Sequence, residues 1–228
     1  MTRALMRATI ARIVRTRRGR LPLVAWTLLS ITLAIVTRSL GPTAGAGPVL
    51  VGPFGQAILP LAAYGIVSAV SAGSGLRGAI RGLVALGAPP ERASFASVLG
   101  ATLGSAAAGG LLAAVICLIA HGSSDPPLWL DLSTTFGTAF LGGAAYGAFF
   151  SAGSAIGRGA MRSVLLVIDF VLGSPAGFGA LFVPRGHLLR LLGGPAVYEL
   201  SARASSICLF LILAASFLVA VRLAGKTR

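Results

Sequence analysis

The sequence predicts an all-α, polytopic membrane protein with six transmembrane helices and an N-terminal interfacial amphipathic helix. Hydrophobic residues make up 56% of the 228 residues and charged residues only 11%, against about 25% charged residues in a soluble domain. The apolar residues also cluster in blocks of roughly twenty, the length with which a helix crosses a hydrocarbon layer of ~30 Å. These observations exclude a soluble enzyme, a disordered chain, a disulfide scaffold and an ordinary nucleic-acid binder.

The first element is the basic segment 1–20, which we expect to form a helix lying flat in the inner membrane interface. Met6, Ile10, Ile13 and Val14 fall on one side of that helix, while most of its arginines lie elsewhere. Arginines at such a surface attract anionic lipid headgroups by about 1 kcal/mol each. A flexible basic tail that only sets the topology is the alternative.

Residues 21–228 form the predicted transmembrane domain, with six apolar blocks at 21–40, 49–73, 95–120, 134–156, 161–183 and 204–224. The fourth block is rich in Gly and Ala and therefore weakly hydrophobic, which predicts a place inside the bundle. A twin-arginine signal peptide is an alternative for the first block, since TRRGRLPL precedes it and AGA follows it. The length of this block and the five blocks that follow favour an uncleaved span.

The distribution of positive charge predicts the orientation. With a cytoplasmic N-terminus, fifteen of the 19 Lys and Arg residues fall on the inner side and four on the outer side, as the positive-inside rule requires. The inner residues are Arg3, Arg7, Arg12, Arg15, Arg17, Arg18, Arg20, Arg77, Arg81, Arg92, Arg158, Arg162, Arg222, Lys226 and Arg228. We therefore expect a multi-pass protein of the cell (inner) membrane, with both termini cytoplasmic and no nucleic-acid partner.

Small residues recur four positions apart within the blocks, a spacing that lets two helix backbones approach closely in lipid. The helix-packing candidates are Gly100, Gly104, Gly143, Gly147, Gly153, Gly157, Gly173 and Gly177. Pro175 removes a backbone hydrogen bond between the last two, so we expect a kink there.

Asp169 is the acidic residue that falls inside an apolar block, and the sequence shows no evident intramembrane basic partner for it. An intramembrane carboxyl suggests either function, such as a proton relay, or a structural interhelical hydrogen bond. Cys117 and Cys208 lie in separate apolar blocks and indicate neither a disulfide nor a metal site. We expect no cofactor, because the sequence has no HExxH motif, no phosphate-binding loop with Lys and no paired carboxylates.

Two connecting segments complete the plan. Residues 184–203 are leucine-rich but too short and too charged to cross a membrane, which predicts a shallow re-entrant helix or a covering loop on the outer side. Residues 74–93 join the second and third blocks on the inner side. Their sequence predicts a short helix, followed by a double proline and the start of a new span.

The stretch LRGAIRGLVALGAPPERASFASVLGA resembles the coupling segment of ABC transporter permeases. The order of blocks along the whole chain is similar to that of ABC-2-type exporter permeases. The resemblance implies docking onto a separate ABC ATPase subunit through Leu83, Val84 and Leu86, with Arg77, Arg81 and Arg92 at the rim. It also implies a second permease copy or homologue and a non-catalytic role for this chain. The acidic residue that often opens the family's segment is replaced by Gly73–Gly75.

Two other functions are compatible with the sequence. One is an ion- or proton-coupled carrier that uses Asp169, although the sequence shows no inverted repeat of the kind such carriers have. The other is a membrane scaffold or assembly factor without a transport path.

Overall fold

The computed structural model describes residues 2–41, 45–72, 74–123, 125–157 and 159–226, with side chains from Leu5 onward. Arg158 and Arg228, which the charge count included, lie outside these ranges. So do Ala44, in the candidate cleavage motif, and Gly73, while the side chain of Arg3 is not described. The protein is 82% helical, and no strand occurs in the described ranges. The predicted all-α class is confirmed.

Five helices are long and apolar enough to cross a membrane, counting only the part of the chain that the structure describes. They are α2 (Arg17–Ser39), α3 (Gly47–Val70), α5 (Pro90–Ala120), α6 (Leu128–Ile156) and α9 (Ala202–Gly225). Four shorter helices accompany them, α1 (Thr2–Arg15), α4 (Leu76–Ala85), α7 (Ala160–Leu172) and α8 (Pro184–Leu191). The six continuous spans of the sequence prediction are therefore not confirmed.

The difference lies in the predicted block 161–183. Its helix, α7, has 13 residues, which extend only about 20 Å at 1.5 Å per residue. The chain then leaves the helix at Gly173, passes Pro175 and makes a single 3₁₀ turn at Phe178–Leu181. Two glycines and a proline lie within the next five residues. Because both residue types are unfavourable inside a helix, α7 does not continue.

α3 bends where its sequence weakens the helix. The stretch Leu50–Ile58 is π-helical, and Gly52 has a non-helical ψ of −109°. Pro53 follows directly and offers no backbone N–H, which explains why the regular hydrogen-bond ladder fails at this point.

α5 and α6 form the centre of the bundle. In the most apolar window of α6, 78% of the residues are buried, against 17% in α2 and in α9. The two central helices approach closely because Gly143 faces the main chain of Ser105 and Gly147 faces Thr102. The Gly- and Ala-rich block thus lies inside the bundle, as its composition predicted.

The two ends of the bundle differ in charge. At one end, which we call the basic end, Arg18 donates to the carbonyl of Ala72, and Ser94 donates to the carbonyl of Val221. The first bond joins the start of α2 to the end of α3, and the second joins the start of α5 to the end of α9. At the opposite end, the far end, Arg38 donates to the carbonyl of His121.

α1 packs against the bundle through side chains that the amphipathic pattern only partly predicted. Ile13 is buried as expected, but its neighbour in the contact is the polar Thr9, while Ile10 and Val14 are exposed. The glycines of α5 explain this choice, since Gly100 faces Thr9 and Gly104 faces Ile13.

Candidate functional site

Residues 86–89 join α4 to α5 and form a turn that we call the tip. Its Leu86 is the most exposed large apolar side chain of the basic end. Leu76, Ala79 and Ile80 bury one face of α4, while Arg77 and Arg81 lie on its exposed face. Gly75 directly precedes the helix, and its φ of +82° and close approach to the carbonyls of Ser154 and Gly157 disfavour any side chain at this position. This contact fixes α4 on the end of α6.

Two main-chain hydrogen bonds close the turn after α4. The N–H of Gly87 donates to the carbonyl of Val84 at 2.9 Å, and the N–H of Ala88 donates to that of Leu83 at 3.1 Å. Gly87 has a φ of +88°. These two bonds and the left-handed glycine form a Schellman motif, the common glycine-terminated end of a helix.

The docking residues suggested by the family resemblance are not equally available. Leu86 projects from the turn with 86% of its surface exposed. Leu83 and Val84 are only half-buried because they also pack against the core. Arg77, Arg81 and Arg92 are exposed around the tip. A polar cavity of about 500 Å³ lies beside them, lined by Ser74, Arg77, Arg81 and Ser154 among others.

A second polar group lies where α7 begins. Arg162 is buried and donates to Ser71 Oγ at 2.6 Å and to Ser154 Oγ at 3.2 Å. Its guanidinium also lies 4.8 Å from the centre of the Tyr64 ring. Arg162 therefore ties α7 to the basic-end termini of α3 and α6, a role that counting charges for the topology did not reveal.

Asp169 is completely buried, and both of its carboxylate oxygens accept hydrogen bonds. Tyr146 Oη donates to one oxygen at 2.9 Å, and the N–H of Arg185 donates to the other at 3.2 Å. Arg185 itself extends over the Phe170 ring at 4.4 Å. A basic residue thus lies beside Asp169, but it comes from α8 and not from the same apolar block.

The broken segment after α7 meets α8 at this carboxylate. Gly173 faces both Asp169 and Arg185, whereas Gly177 has no close side-chain neighbour. α8 then leads to the far end, where Leu191 and Leu192 line a cavity with Asp125 and Asp131. Leu188 and Leu189 are buried, the former against Gly142. The segment 184–203 therefore starts with a helix packed into the bundle.

The remaining predicted packing glycines lie near the start of α7. Gly153 faces Leu165 and Arg162, and Gly157 approaches Met161. Both glycines shorten the distance between the end of α6 and the helix that follows it.

A third polar group occupies the far end and was not recognised in the sequence. Cys117, His121 and Asp131 place one ligand atom each within 4.8 Å of the others, and Asp125 lies next to them. The spacing of Cys117 and His121 was a usable signal, because residues four apart share one face of a helix. Asp131 follows only after a turn, so its approach depends on how α5 and α6 pack.

The comparisons with known proteins return no relative. No family model, no curated protein and no solved structure matches the chain.

Proposed function

We propose that this chain is the membrane-spanning permease subunit of an ATP-driven ABC exporter of the ABC-2 type. It moves a substrate across the inner membrane while a separate subunit hydrolyses ATP. The observation that carries the proposal is the exposed apolar tip at Leu86, held by α4 and its Schellman turn at the basic end.

The charge of the basic end supports a cytoplasmic location for it. Excess Lys and Arg mark the cytoplasmic ends of spans, and Arg18, Arg77, Arg92 and Arg222 belong to elements that meet at this end. Both termini of the chain then lie on the cytoplasmic side, because α1 precedes α2 there and α9 ends there. The N-terminal helix offers the exposed Arg7 and Arg15 to anionic headgroups of the inner leaflet.

In this orientation α7 and α8 together make the sixth crossing. α7 starts at the basic end, where Arg162 contacts Ser71 and Ser154, and α8 finishes at the far end. Non-helical backbone at membrane depth is tolerated only where protein or water surrounds it. Gly173 and Ala180 are buried in the bundle, whereas Ser174, Ala176 and Phe178 are exposed and would need cover from the second permease copy. The hydrogen bond from Arg185 N–H to Asp169 satisfies one backbone group at the break.

The exposed tip has the chemistry to dock into an apolar cleft of the ATPase subunit. A single leucine with 86% exposure costs free energy in water and gains about 1.5–3 kcal/mol when an apolar pocket buries it. The exposed arginines around it favour a cleft with an acidic rim. Closure of the ATPase pair would push on α4, which Gly75 fixes to the end of α6, and so rock the two permease copies.

The test uses the ATPase subunit with a GxxxxGK[ST] motif that is encoded nearest to this chain, co-expressed and reconstituted with it in lipid vesicles. We expect Leu86→Asp to abolish co-purification and permease-stimulated ATP hydrolysis. The matched control is Leu40→Asp, which introduces the same charge at a residue with 77% exposure at the far end. Full complex formation by Leu86→Asp, or equal losses in both variants, would refute the docking role.

A further inference from the structure

The far end of α5 and α6 brings together three side chains with metal-binding atoms. Cys117 lies in the last turn of α5, His121 directly follows that helix, and Asp131 lies in the first turn of α6. Their ligand atoms all lie within 4.8 Å of one another. From this geometry we infer a zinc site formed by Cys117, His121 and Asp131.

The distances fit a tetrahedral ion. Zinc–ligand bonds of about 2.0–2.3 Å place neighbouring ligand atoms about 3.3–3.8 Å apart at the corners of a tetrahedron. Cys117 Sγ lies 3.2 Å from Asp131 Oδ2, and His121 Nδ1 lies 3.6 Å from the same oxygen. Small side-chain rotations therefore suffice to admit the ion.

The imidazole provides an independent indication. His121 Nδ1 is buried, and no hydrogen-bond partner satisfies it among the described residues. An unsatisfied buried nitrogen costs free energy, whereas the same nitrogen in its neutral form is a good zinc ligand. Coordination explains why this atom faces two carboxylates at 3.6 and 3.8 Å without a proper hydrogen bond to either.

The residues behind the ligands hold them in position, as they do around established metal sites. Thr135 Oγ1 donates to Asp131 Oδ1, which leaves Oδ2 directed at Cys117 and His121. Arg38 fixes the His121 carbonyl at 2.6 Å. Asp125 accepts the N–H groups of Ala46 and Gly122, and so anchors the connection between α5 and α6.

The donor set selects the metal. A thiolate with an imidazole and one carboxylate suits Zn²⁺, while Mg²⁺ and Ca²⁺ require oxygen ligands. The thiolate and the carboxylate together neutralise the charge of the ion. Binding transfers the Cys117 thiol proton to the solvent, so one proton leaves for each Zn²⁺ bound, and the affinity rises with pH.

Three protein ligands leave a fourth position open. A cavity of about 270 Å³ adjoins Asp131 and is also lined by Asp125, Thr134, Thr135 and Thr138. Through this cavity the ion enters, and a water molecule completes its coordination. The ion then joins the end of α5 to the start of α6, the two helices at the centre of the bundle.

The experiment uses the full chain in detergent, with its affinity tag removed and its metal stripped by a chelator. Zn²⁺ is titrated by calorimetry, and Co²⁺ is titrated as a spectroscopic substitute. We expect one ion per chain, a thiolate-to-cobalt charge-transfer band, slower alkylation of Cys117 in the presence of Zn²⁺, and a Tm that rises with the Zn²⁺ concentration.

Matched variants assign the ligands. Cys117→Ser abolishes the charge-transfer band, and His121→Gln weakens binding more than about 100-fold, since even indirect partners of a metal contribute 10–100-fold. Cys208→Ser and His187→Gln alter the other cysteine and the other histidine, and both leave the affinity unchanged.

The unaltered protein and Cys208→Ser decide the outcome even where a ligand variant fails to fold. Absence of a thiolate–cobalt band in these two proteins would overturn the zinc site, as would equal Zn²⁺ affinity in a folded Cys117→Ser. Neither result depends on an ATPase partner, so the zinc site and the exporter function are tested separately.

Discussion

Asp169 joins three helices through a single side chain. It lies on α7, accepts from Tyr146 on α6 and accepts from the N–H of Arg185 in the first turn of α8. The first N–H groups of a helix have no partner within it, so Asp169 serves α8 as a capping residue supplied from a distance. With both oxygens satisfied, the arrangement favours a structural role over proton transport.

Removing this carboxylate should destabilise the bundle. We expect Asp169→Ala to lower the free energy of unfolding by about 2–4 kcal/mol, because it leaves a tyrosine hydroxyl and a backbone N–H unsatisfied. Asp169→Asn retains one acceptor and should cost less. Thermal unfolding in detergent measures both effects, with the exposed Glu91→Gln as a control that changes little. Once the substrate is known, abolished transport in a folded Asp169→Asn would favour the carrier function instead.

Gly143 is the glycine of the α5–α6 contact that leaves the least space for an added side chain. A methyl group there would overlap the carbonyl oxygen of Ser105, while at Gly137 on the same helix it would meet nothing within 4 Å. We expect Gly143→Ala to cost about 1–3 kcal/mol of stability through overpacking. Gly137→Ala should be neutral or stabilising by up to about 1 kcal/mol. Equal Tm values for the two variants would contradict the close packing of α5 and α6.

At the scale of elements, the segment after α6 shows what the sequence alone can predict. The stretch Gly173–Gly177 correctly predicted an interruption, because Gly and Pro act through the local backbone. The passage of α8 into the bundle was not predicted. Its Arg185, His187 and Arg190 give α8 a low hydropathy, and its burial depends on a hydrogen bond to Asp169, sixteen residues earlier.

The N-terminal helix α1 likewise separates what the local sequence predicts from what helix packing determines. A helix forms in the predicted segment 1–20, but it ends at Arg15, and residues 17–20 of that segment belong to α2. Its place in the membrane interface stays a prediction. Its buried face was only partly predicted, because two glycines of α5 receive Thr9 and Ile13. The sequence pattern predicts that the most hydrophobic face of α1 is buried. In the structure the glycines of α5 also admit a small polar side chain, because they leave space for it.

Substitution of Gly87 tests whether the turn after α4 is needed to present Leu86. Gly87 has a φ of +88°, so Gly87→Ala should cost about 1–2 kcal/mol of local strain. We expect the variant to remain folded but to lose much of its ATPase stimulation, because Leu86 no longer projects in the same direction. Gly82→Ala on the helical part of α4, where nothing lies within 4 Å, is the control and should retain full stimulation.

At the scale of the whole molecule, the bundle combines five long helices with one broken passage. Apolar block length predicted the ends of the long helices to within six residues. The block 204–224 matches Ala202–Gly225 closely, whereas the helix of the block 134–156 starts at Leu128. Block length cannot predict which helices become neighbours. The grouping of Cys117, His121 and Asp131 at the far end and of Ser71, Ser154 and Arg162 at the basic end follows from that pairing.

The proposed exporter function depends most on which side of the membrane the Leu86 tip faces. Leu86→Cys and Leu40→Cys, each in a chain without Cys117 and Cys208, can be exposed to a membrane-impermeant thiol reagent in intact cells. We expect position 40 to react at once and position 86 to react only after the membrane is permeabilised. Labelling of position 86 from outside intact cells would contradict both the proposed cytoplasmic docking surface and the proposed exporter function.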